Sequence, residues 1–275
     1  MNKIKYLING FLKMFGYKMV RVIKEEEKKV SEESTDSKLS NVEYNKQMWD
    51  NYARHWEKGS VYLEDEEISE EEKGSYLDHL GDEWGTKEDV NEIIEKYIFP
   101  YITENSIVGE IGVGGGRVAS KIIDKVKHLY CFDVSTEMIK KTEIALQNTG
   151  FSNYTLIVLD SPKFPDTLSE KFDFIYSFDV FVHLDLHNIW HYFKEINRVL
   201  KCKGRAFLHT TNLGTPGGWD RFSKQDAYSV GGFYFIIPET IDILSKRSNF
   251  KIIKKSVISE DNFYLNRDYL FILEK

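Results

Sequence analysis

The part of the chain that follows residue 100 alternates between short apolar runs and longer stretches in which apolar side chains recur at helical spacing. Seven apolar runs are predicted to form strands: Ile107–Ile111, His128–Asp133, Thr155–Leu159, Asp173–Phe178, Arg205–Thr210, Lys251–Val257 and Tyr269–Leu273. Helices are predicted at Val118–Lys127, Ser135–Asn148, Leu186–Lys201 and Pro238–Ser248. This alternation is typical of βαβ units, in which helices cover a largely parallel sheet.

The end of the chain departs from that alternation. No helical pattern separates the last two predicted strands, so we predict that they pair antiparallel at the sheet edge. The predicted fold is therefore α/β, with a doubly wound, mostly parallel sheet of seven strands whose last strand is antiparallel. A helical N-terminal extension precedes this sheet.

The first 96 residues divide into three segments of different composition. Residues 1–24 carry six Lys or Arg and no acid, and their apolar run is too short to span a bilayer. We predict a basic amphipathic segment that either contacts an anionic membrane surface or docks on protein. Residues 25–42 are charged and Ser-rich, which predicts a flexible linker. Residues 43–96 are predicted to form a helical cap on the main domain, which spans 97–275.

Composition and charge narrow the function. The net charge of −7 disfavours a nucleic-acid partner, because such a partner requires a basic face. Cys131 and Cys202 lack CxxC spacing and the seven histidines show no metal-binding motif, so neither a disulfide nor a metal is predicted. The N-terminal apolar run lacks an A-x-A-like cleavage site. We therefore expect a cytoplasmic protein, peripheral at the inner membrane face if residues 1–24 bind lipid.

Four glycines follow the first predicted strand within the stretch EIGVGGGRVA. They are Gly112, Gly114, Gly115 and Gly116. Glycine adopts positive φ and lets backbone N–H groups approach a ligand without an intervening Cβ. The dinucleotide fingerprint G-x-G-x-x-G requires a third glycine at the position occupied by Arg117. The loop therefore predicts a nucleotide-like ligand but departs from the dinucleotide pattern.

Acidic side chains close the second and third predicted strands. Asp133 follows Gly112 by 21 residues, where a carboxylate accepts hydrogen bonds from both hydroxyls of a ribose. Asp160, with Ser161 beside it, is predicted to accept a hydrogen bond from the exocyclic amine of a purine. Since ligands bind at the carboxyl ends of parallel strands, these side chains are predicted to face one ligand.

Polar side chains also follow the fourth and fifth predicted strands. Ser177, Asp179 and His183 follow the fourth strand, and His209 ends the fifth. An imidazole takes a proton from a hydroxyl or amine near neutral pH. We therefore predict His183 as general base, Asp179 as its orienting partner and His209 as the alternative base. The Gly-rich, Trp-containing stretch after Asn212 is predicted to be a lid over the acceptor.

These motifs together resemble one enzyme family. The stretches EIGVGGG, FDVS, the LD that ends at Asp160, FDFIYSFDVFVHL and RVLKCKGRAFLH are similar, in this order, to the motifs of class I S-adenosylmethionine-dependent methyltransferases. The resemblance covers residues 95–275. Cys202 departs from it, because the family more often has Pro and Gly there. The resemblance implies a Rossmann-like methyltransferase fold with S-adenosylmethionine as the methyl donor.

The resemblance also implies which residues hold that donor. Glu110 and the loop at 112–116 are implied to hold the methionyl part. Asp133 is implied to hold the ribose, and Asp160 with Ser161 the adenine. Further donor contacts are implied for Val134, Met138, Ser177, Tyr52 and Trp84.

The acceptor is predicted from the domain together with the N-terminal segment. A basic amphipathic segment joined to such a domain resembles bacterial methyltransferases of surface-polysaccharide and capsule biosynthesis. We expect O-methylation of a sugar hydroxyl of a cell-surface glycan or its precursor. A small-metabolite or N-methyltransferase needs the same donor residues and stays an alternative, as does a non-catalytic, membrane-tethered adaptor that binds the donor.

Overall fold

The strands of the computed structural model form one sheet. They are β1 Ile107–Ile111, β2 His128–Asp133, β3 Tyr154–Val158, β4 Phe172–Ser177, β5 Leu200–Thr211, β6 Lys251–Lys255 and β7 Asp268–Glu274. Their order is β3-β2-β1-β4-β5-β7-β6. The first five strands run parallel, and β7 pairs antiparallel with both β5 and β6. The predicted seven-stranded, mostly parallel sheet with an antiparallel last strand is confirmed.

The structure describes residues 39–56, 78–225 and 232–275, so the predicted basic segment and most of the predicted linker lie outside it. Its α-helices in those ranges are α1 Asn41–His55, α2 Lys87–Tyr97, α3 Ala119–Ile122, α4 Thr136–Asn148, α5 Leu186–Val199, α6 Pro216–Ser223, α7 Pro238–Arg247 and α8 Phe263–Arg267. Short 3-10 turns occur at Asp82–Trp84, Phe99–Tyr101, Ile123–Lys125, Asp166–Leu168 and Phe181–His183.

Two helices form where the sequence pattern predicts none. In α8, between β6 and β7, the Asn262 side chain accepts hydrogen bonds from the first turn, and the helix is too short to show a periodic pattern. In α6, within the stretch predicted as a lid loop, Thr215 caps the helix and Pro216 occupies its first position. The cap and the proline therefore outweigh the low helix propensity of the two glycines in α6.

The hydrophobic core has two halves, one on each face of the sheet. One half packs α2, α3 and α8 against strand residues such as Phe174, Tyr176 and Phe207. The other half packs α5 and α7 against residues such as Phe132 and Phe271. Because both faces are covered, the central strands β1, β2, β4 and β7 are mostly buried, and the loops at the carboxyl ends of the parallel strands are left to form a site.

Helix α1 lies across those loops. It begins at Asn41, inside the predicted linker, because Ser40 and Glu43 form a reciprocal capping box. The helix packs on α4, where the Asp50 carboxylate accepts hydrogen bonds from Ser135 Oγ at 2.6 Å and Glu137 N at 3.1 Å. The N-terminal extension is thus attached directly to the residues that follow β2.

Candidate active site

A cleft of about 830 Å³, including open solvent at its mouth, lies beneath α1 at the carboxyl ends of β1, β2 and β4. Its walls come from the glycine loop, the ends of β2 and β3, the turn after β4 and the cap region. Of the predicted site residues, the cleft is lined by Glu110, Gly112, Gly114, Asp133, Val134, Met138, Asp179, His183 and Trp84. The topology therefore brings most of the predicted site residues to one cavity, whereas Gly116, Asp160, Ser161, Ser177, His209 and Tyr52 are not part of its lining.

The glycines after β1 serve different purposes. A Cβ at Gly112 would collide with the Val180 side chain, and one at Gly115 would lie 2.5 Å from the Leu80 carbonyl oxygen. Gly114, at φ +57°, has no atom within 4 Å of the position of a Cβ. Gly114 therefore borders open space, whereas the protein's own packing excludes side chains at the other two positions.

This difference predicts that two alanine substitutions affect different properties. Gly115→Ala is expected to lower the thermal unfolding midpoint by about 5 °C, because overpacking against Leu80 costs about 2 kcal/mol. Gly114→Ala directs its methyl group into the open space that we assign to the donor, and should weaken S-adenosylhomocysteine binding at least tenfold. Calorimetric titration and thermal unfolding of both variants measure these effects. Equal donor affinity in the wild type and Gly114→Ala would contradict the assignment.

Asp133 is held at the end of β2 by the loops on either side. Its carboxylate accepts hydrogen bonds from Gly114 N at 3.0 Å and from Ser135 N at 2.9 Å. Burial raises the pKa of Asp133 to about 6, against the opposing effect of these N–H donors. The group lines the cleft with acceptor capacity to spare, as the ribose role requires.

The raised pKa of Asp133 predicts that donor affinity depends on pH. In the role predicted for Asp133, the ionised carboxylate accepts from both ribose hydroxyls, so the protein would have to release a proton to bind the donor below pH 6. The association constant for S-adenosylhomocysteine should therefore fall by up to about tenfold per unit as the pH drops from 6 to 5. Calorimetry at several pH values tests this. Asp133→Asn should bind weakly with no such dependence; the same slope in that variant would assign the effect to another group.

Glu110 lies beneath the glycine loop and also faces the cleft. Tyr176 Oη donates a 2.5 Å hydrogen bond to its carboxylate, and burial raises the pKa of Glu110 to about 8. A cationic ammonium group placed beside it would favour the ionised form. The position therefore fits the predicted role of holding the methionyl part of the donor.

The predicted adenine contacts lie elsewhere. Asp160 and Ser161 are exposed and do not line the cleft, which at this point is bounded by Leu159. Ser177 is fully buried, and its hydroxyl donates to the Ile111 carbonyl at 2.9 Å. Among the implied donor contacts, Val134 and Met138 do line the cavity. The adenine end of the cleft is therefore mainly apolar.

His183 is held in one orientation on the far side of β1 from Asp133. Its Nδ1 lies 3.1 Å from the Gly232 carbonyl oxygen, and because that oxygen only accepts, Nδ1 carries the proton. Burial lowers the pKa of His183 to about 4, so the ring is neutral at pH 7. Nε2, which has no hydrogen-bond partner among the described residues, keeps its lone pair. The side chain is thus a neutral base that borders the cleft.

Asp179 and His209 take part in a buried charge network. Asp179, in the left-handed region at φ +62°, forms ion pairs with Arg117 at 2.9 Å and Arg267 at 3.5 Å. Burial opposes ionisation, but His209, Arg117 and Arg267 keep the pKa of Asp179 low. His209 is fully buried, accepts from Asp179 N, lies 2.9 Å from Asp268 and does not line the cleft.

The cap contributes an aromatic wall. Trp49 packs edge-on against His183, with ring centroids 5.3 Å apart, and against Trp84 at 5.4 Å. Tyr52 lies 5.7 Å from Trp84 but is not part of the cleft lining. Arg117 Nη1 ties this region to the glycine loop by donating to the Gly81 carbonyl at 2.7 Å. Trp49 and Trp84 therefore form the side of this wall that lines the cleft, whereas Tyr52 lies behind them.

Three contributors to the site are missing from the sequence-based prediction. Asn45 of α1 lines the cleft, Arg117 joins the glycine loop to the cap, and Asp50 attaches α1 to α4. Only Arg117 gives a signal in the sequence, since it replaces the third dinucleotide glycine. The other two act through contacts with residues more than 80 positions away.

The described part of the chain shows neither a metal-binding cluster nor a membrane-spanning helix. In residues 39–56, 78–225 and 232–275, no group of three or more His, Cys, Asp or Glu side chains is arranged to hold a metal ion. In those same ranges no helix is long and apolar enough to cross a membrane.

Comparisons with known proteins agree with this architecture. Residues 108–204 match the family described as a methyltransferase domain. Magnesium protoporphyrin IX methyltransferase from Synechocystis PCC 6803, solved with bound S-adenosylhomocysteine, is similar in structure at TM-score 0.60 and 15% identity, over 86% of this chain and 100% of that one. The PH0226 protein from Pyrococcus horikoshii OT3 reaches TM-score 0.56 at 19% identity, over 82% of this chain and 98% of that one. No curated protein matches the sequence.

The matched domain, the reversed last strand and the strand-end site define one class of enzyme. The protein is an S-adenosylmethionine-dependent methyltransferase with a Rossmann-like fold, and S-adenosylmethionine is its methyl donor. The cleft fits this donor, since it offers a buried carboxylate at Asp133, open space at Gly114 and an apolar end at Leu159.

Proposed function

We propose that the enzyme methylates a hydroxyl group of a sugar and that His183 is the general base. The observation that carries this proposal is the neutral imidazole of His183, which lines the cleft with Nδ1–H fixed on Gly232 and with Nε2 free to accept a proton. A neutral hydroxyl needs such a base, because its oxygen becomes a good nucleophile only as the proton leaves.

In the proposed mechanism the protein aligns two ligands and moves one proton. The bound donor supplies a sulfonium methyl group whose leaving group is a neutral thioether. Asp133, Glu110 and the Gly114 backbone hold the donor over β1 and β2. His183 Nε2 removes the hydroxyl proton of the acceptor as the oxygen–carbon bond forms and the carbon–sulfur bond breaks. The charge of Asp179 favours the resulting imidazolium.

The charge of the cleft supports a neutral acceptor over a cationic amine. Its three acids among the described lining residues are Glu110, Asp133 and Asp179. In the proposed arrangement the donor occupies Glu110 and Asp133, and Asp179 pairs with two arginines, so none is left to pair with an ammonium acceptor. Trp49, next to His183, supplies an apolar face of the kind against which the C–H surface of a sugar ring packs.

The origin of the sugar is proposed from the sequence alone. A cell-surface glycan or its precursor, reached from the cytoplasmic side with the help of residues 1–24, fits the basic character of that segment. Salt-sensitive flotation of the full chain with anionic liposomes is the expected result. Absence of binding would instead favour the docked-helix alternative.

A labelled-donor screen tests the acceptor class. The full chain is incubated with methyl-labelled S-adenosylmethionine and three pools: methyl glycosides of common hexoses, nucleotide sugars, and small amines. We expect label in an alkali-stable methyl ether of a glycoside or nucleotide sugar. Label confined to the amines would establish the N-methyltransferase alternative, and donor binding without any transfer would favour the adaptor.

A further inference from the structure

Asn45 lines the cleft and carries a hydrogen-bond acceptor that no described residue uses. The residue lies one turn into α1, is 3% exposed and is part of the cleft lining. Its Nδ2 donates to the Asn41 carbonyl at 2.8 Å and to the His183 carbonyl at 3.3 Å. Its Oδ1 is buried without a hydrogen-bond partner among the described residues.

The orientation of the Asn45 amide follows from these contacts. Both partners of one amide atom are carbonyl oxygens, which only accept, so that atom is the nitrogen. The remaining atom is therefore the oxygen. A buried amide oxygen without a partner loses hydrogen bonds that it makes to water in the unfolded chain, and a bound ligand that donates to it restores them.

The position of Asn45 places this oxygen on the acceptor side of the cleft. The donor residues lie at the ends of β1 and β2, whereas His183 follows β4 on the other side of β1. Asn45 is bonded to the backbone of His183 itself, and Trp49, one turn further along α1, contacts the His183 ring. Asn45 and His183 thus line the same part of the cavity.

We propose that Asn45 determines acceptor specificity by accepting a hydrogen bond from a second hydroxyl, adjacent to the one that loses its proton to His183. This inference rests on the proposed function and makes it more specific: the acceptor is a vicinal diol of a sugar ring. A single hydroxyl has one hydrogen, which goes to His183 Nε2. Asn45 Oδ1, which is also an acceptor without a partner among the described residues, therefore requires a second donor group on the same ligand.

The inference is tested by measuring kcat/KM for two ligands with two forms of the protein, in the manner of a double-mutant cycle. The ligands are a methyl hexopyranoside that the wild type methylates and its analogue in which the hydroxyl next to the methylated one is replaced by hydrogen. In the wild type, loss of that hydroxyl should lower kcat/KM about tenfold or more. In Asn45→Leu the two ligands should react with equal kcat/KM, because the partner of the second hydroxyl is gone.

Asn41→Ala is the matched control. Asn41 also donates to the His183 carbonyl, at 3.1 Å, from the same helix, but it does not line the cleft. If Asn45 only positions α1, both variants will lower activity and both will keep the tenfold preference for the diol. That result would overturn the inference. So would a wild-type preference of less than twofold for the diol over its deoxy analogue. Neither result would contradict the proposed methylation of a sugar.

Two further outcomes complete the test. S-Adenosylhomocysteine affinity, measured in parallel by calorimetry, should be the same in Asn45→Leu and wild type, which shows that the variant is folded. If Asn45→Leu does not fold, Asn45→Ser replaces it, with the same expected loss of preference. Methylation of no glycoside at all by the wild type would instead reject the sugar acceptor, and with it the diol.

Discussion

Replacement of Asp133 by alanine is expected to weaken S-adenosylhomocysteine binding about 100-fold. Each hydrogen bond from a ribose hydroxyl to a carboxylate contributes about 1.5 kcal/mol or more, and two are lost. The same substitution removes the acceptor that holds Gly114 N and Ser135 N, so the glycine loop also loses its fixed geometry. Isothermal titration of the purified variant measures the loss directly.

Asp166→Asn serves as the control for that experiment. The Asp166 side chain is 80% exposed and pairs with Lys163 on the surface, away from the cleft. Its removal should change donor affinity less than twofold. If Asp133→Ala binds S-adenosylhomocysteine within threefold of the wild type, the ribose does not lie on Asp133 and the placement of the donor is wrong.

Replacement of His183 by glutamine is expected to lower kcat about 100-fold or more, with donor affinity unchanged, because the amide cannot take a proton. In the wild type, the pKa of about 4 keeps the base in its active form throughout the neutral range. The contribution of His183 to kcat should therefore be constant from pH 6 to 8 and fall only as the ring is protonated near pH 4. Initial rates at saturating donor and acceptor across this range provide the measurement.

Two histidine variants decide whether the effect is specific. His187→Gln alters an exposed side chain and should keep wild-type rates. His209→Gln alters a buried side chain between Asp179 and Asp268, and is expected to lower thermal stability. If His183→Gln retains wild-type kcat while His209→Gln, still folded, loses it, His209 is the base.

The sequence predicted the parts of the site that depend on strand ends. The boundaries of β1 and β2 agree with the prediction residue for residue, because each apolar run ends abruptly at a polar or glycine position. Asp133 and His183 were therefore assigned correctly to the edge of the sheet that forms the cleft. Their chemical roles remain predictions, which the variants above test.

The parts that were not predictable depend on contacts between distant segments. Asn45 looks like any polar position of an amphipathic helix until α1 is placed against the turn after β4. Asp160 ends an apolar run as Asp133 does, but the loop after β3 turns its side chain to solvent and leaves Leu159 at the cleft. The rule that ligands bind at the carboxyl ends of parallel strands identifies which loops border the cleft. It does not predict which side chains of a loop point into the cleft, because that direction depends on packing against other segments.

Helix α1 holds both ends of the cavity at once, through Asp50 on the residues after β2 and through Asn41 and Asn45 on the turn after β4. It also lies wholly outside residues 108–204, the part that matches the methyltransferase domain. The residue that we propose to select the acceptor, Asn45, thus belongs to a separate helix of 15 residues. If the proposal is right, exchange of this helix between enzymes of the same architecture should change the preferred acceptor while donor binding stays the same.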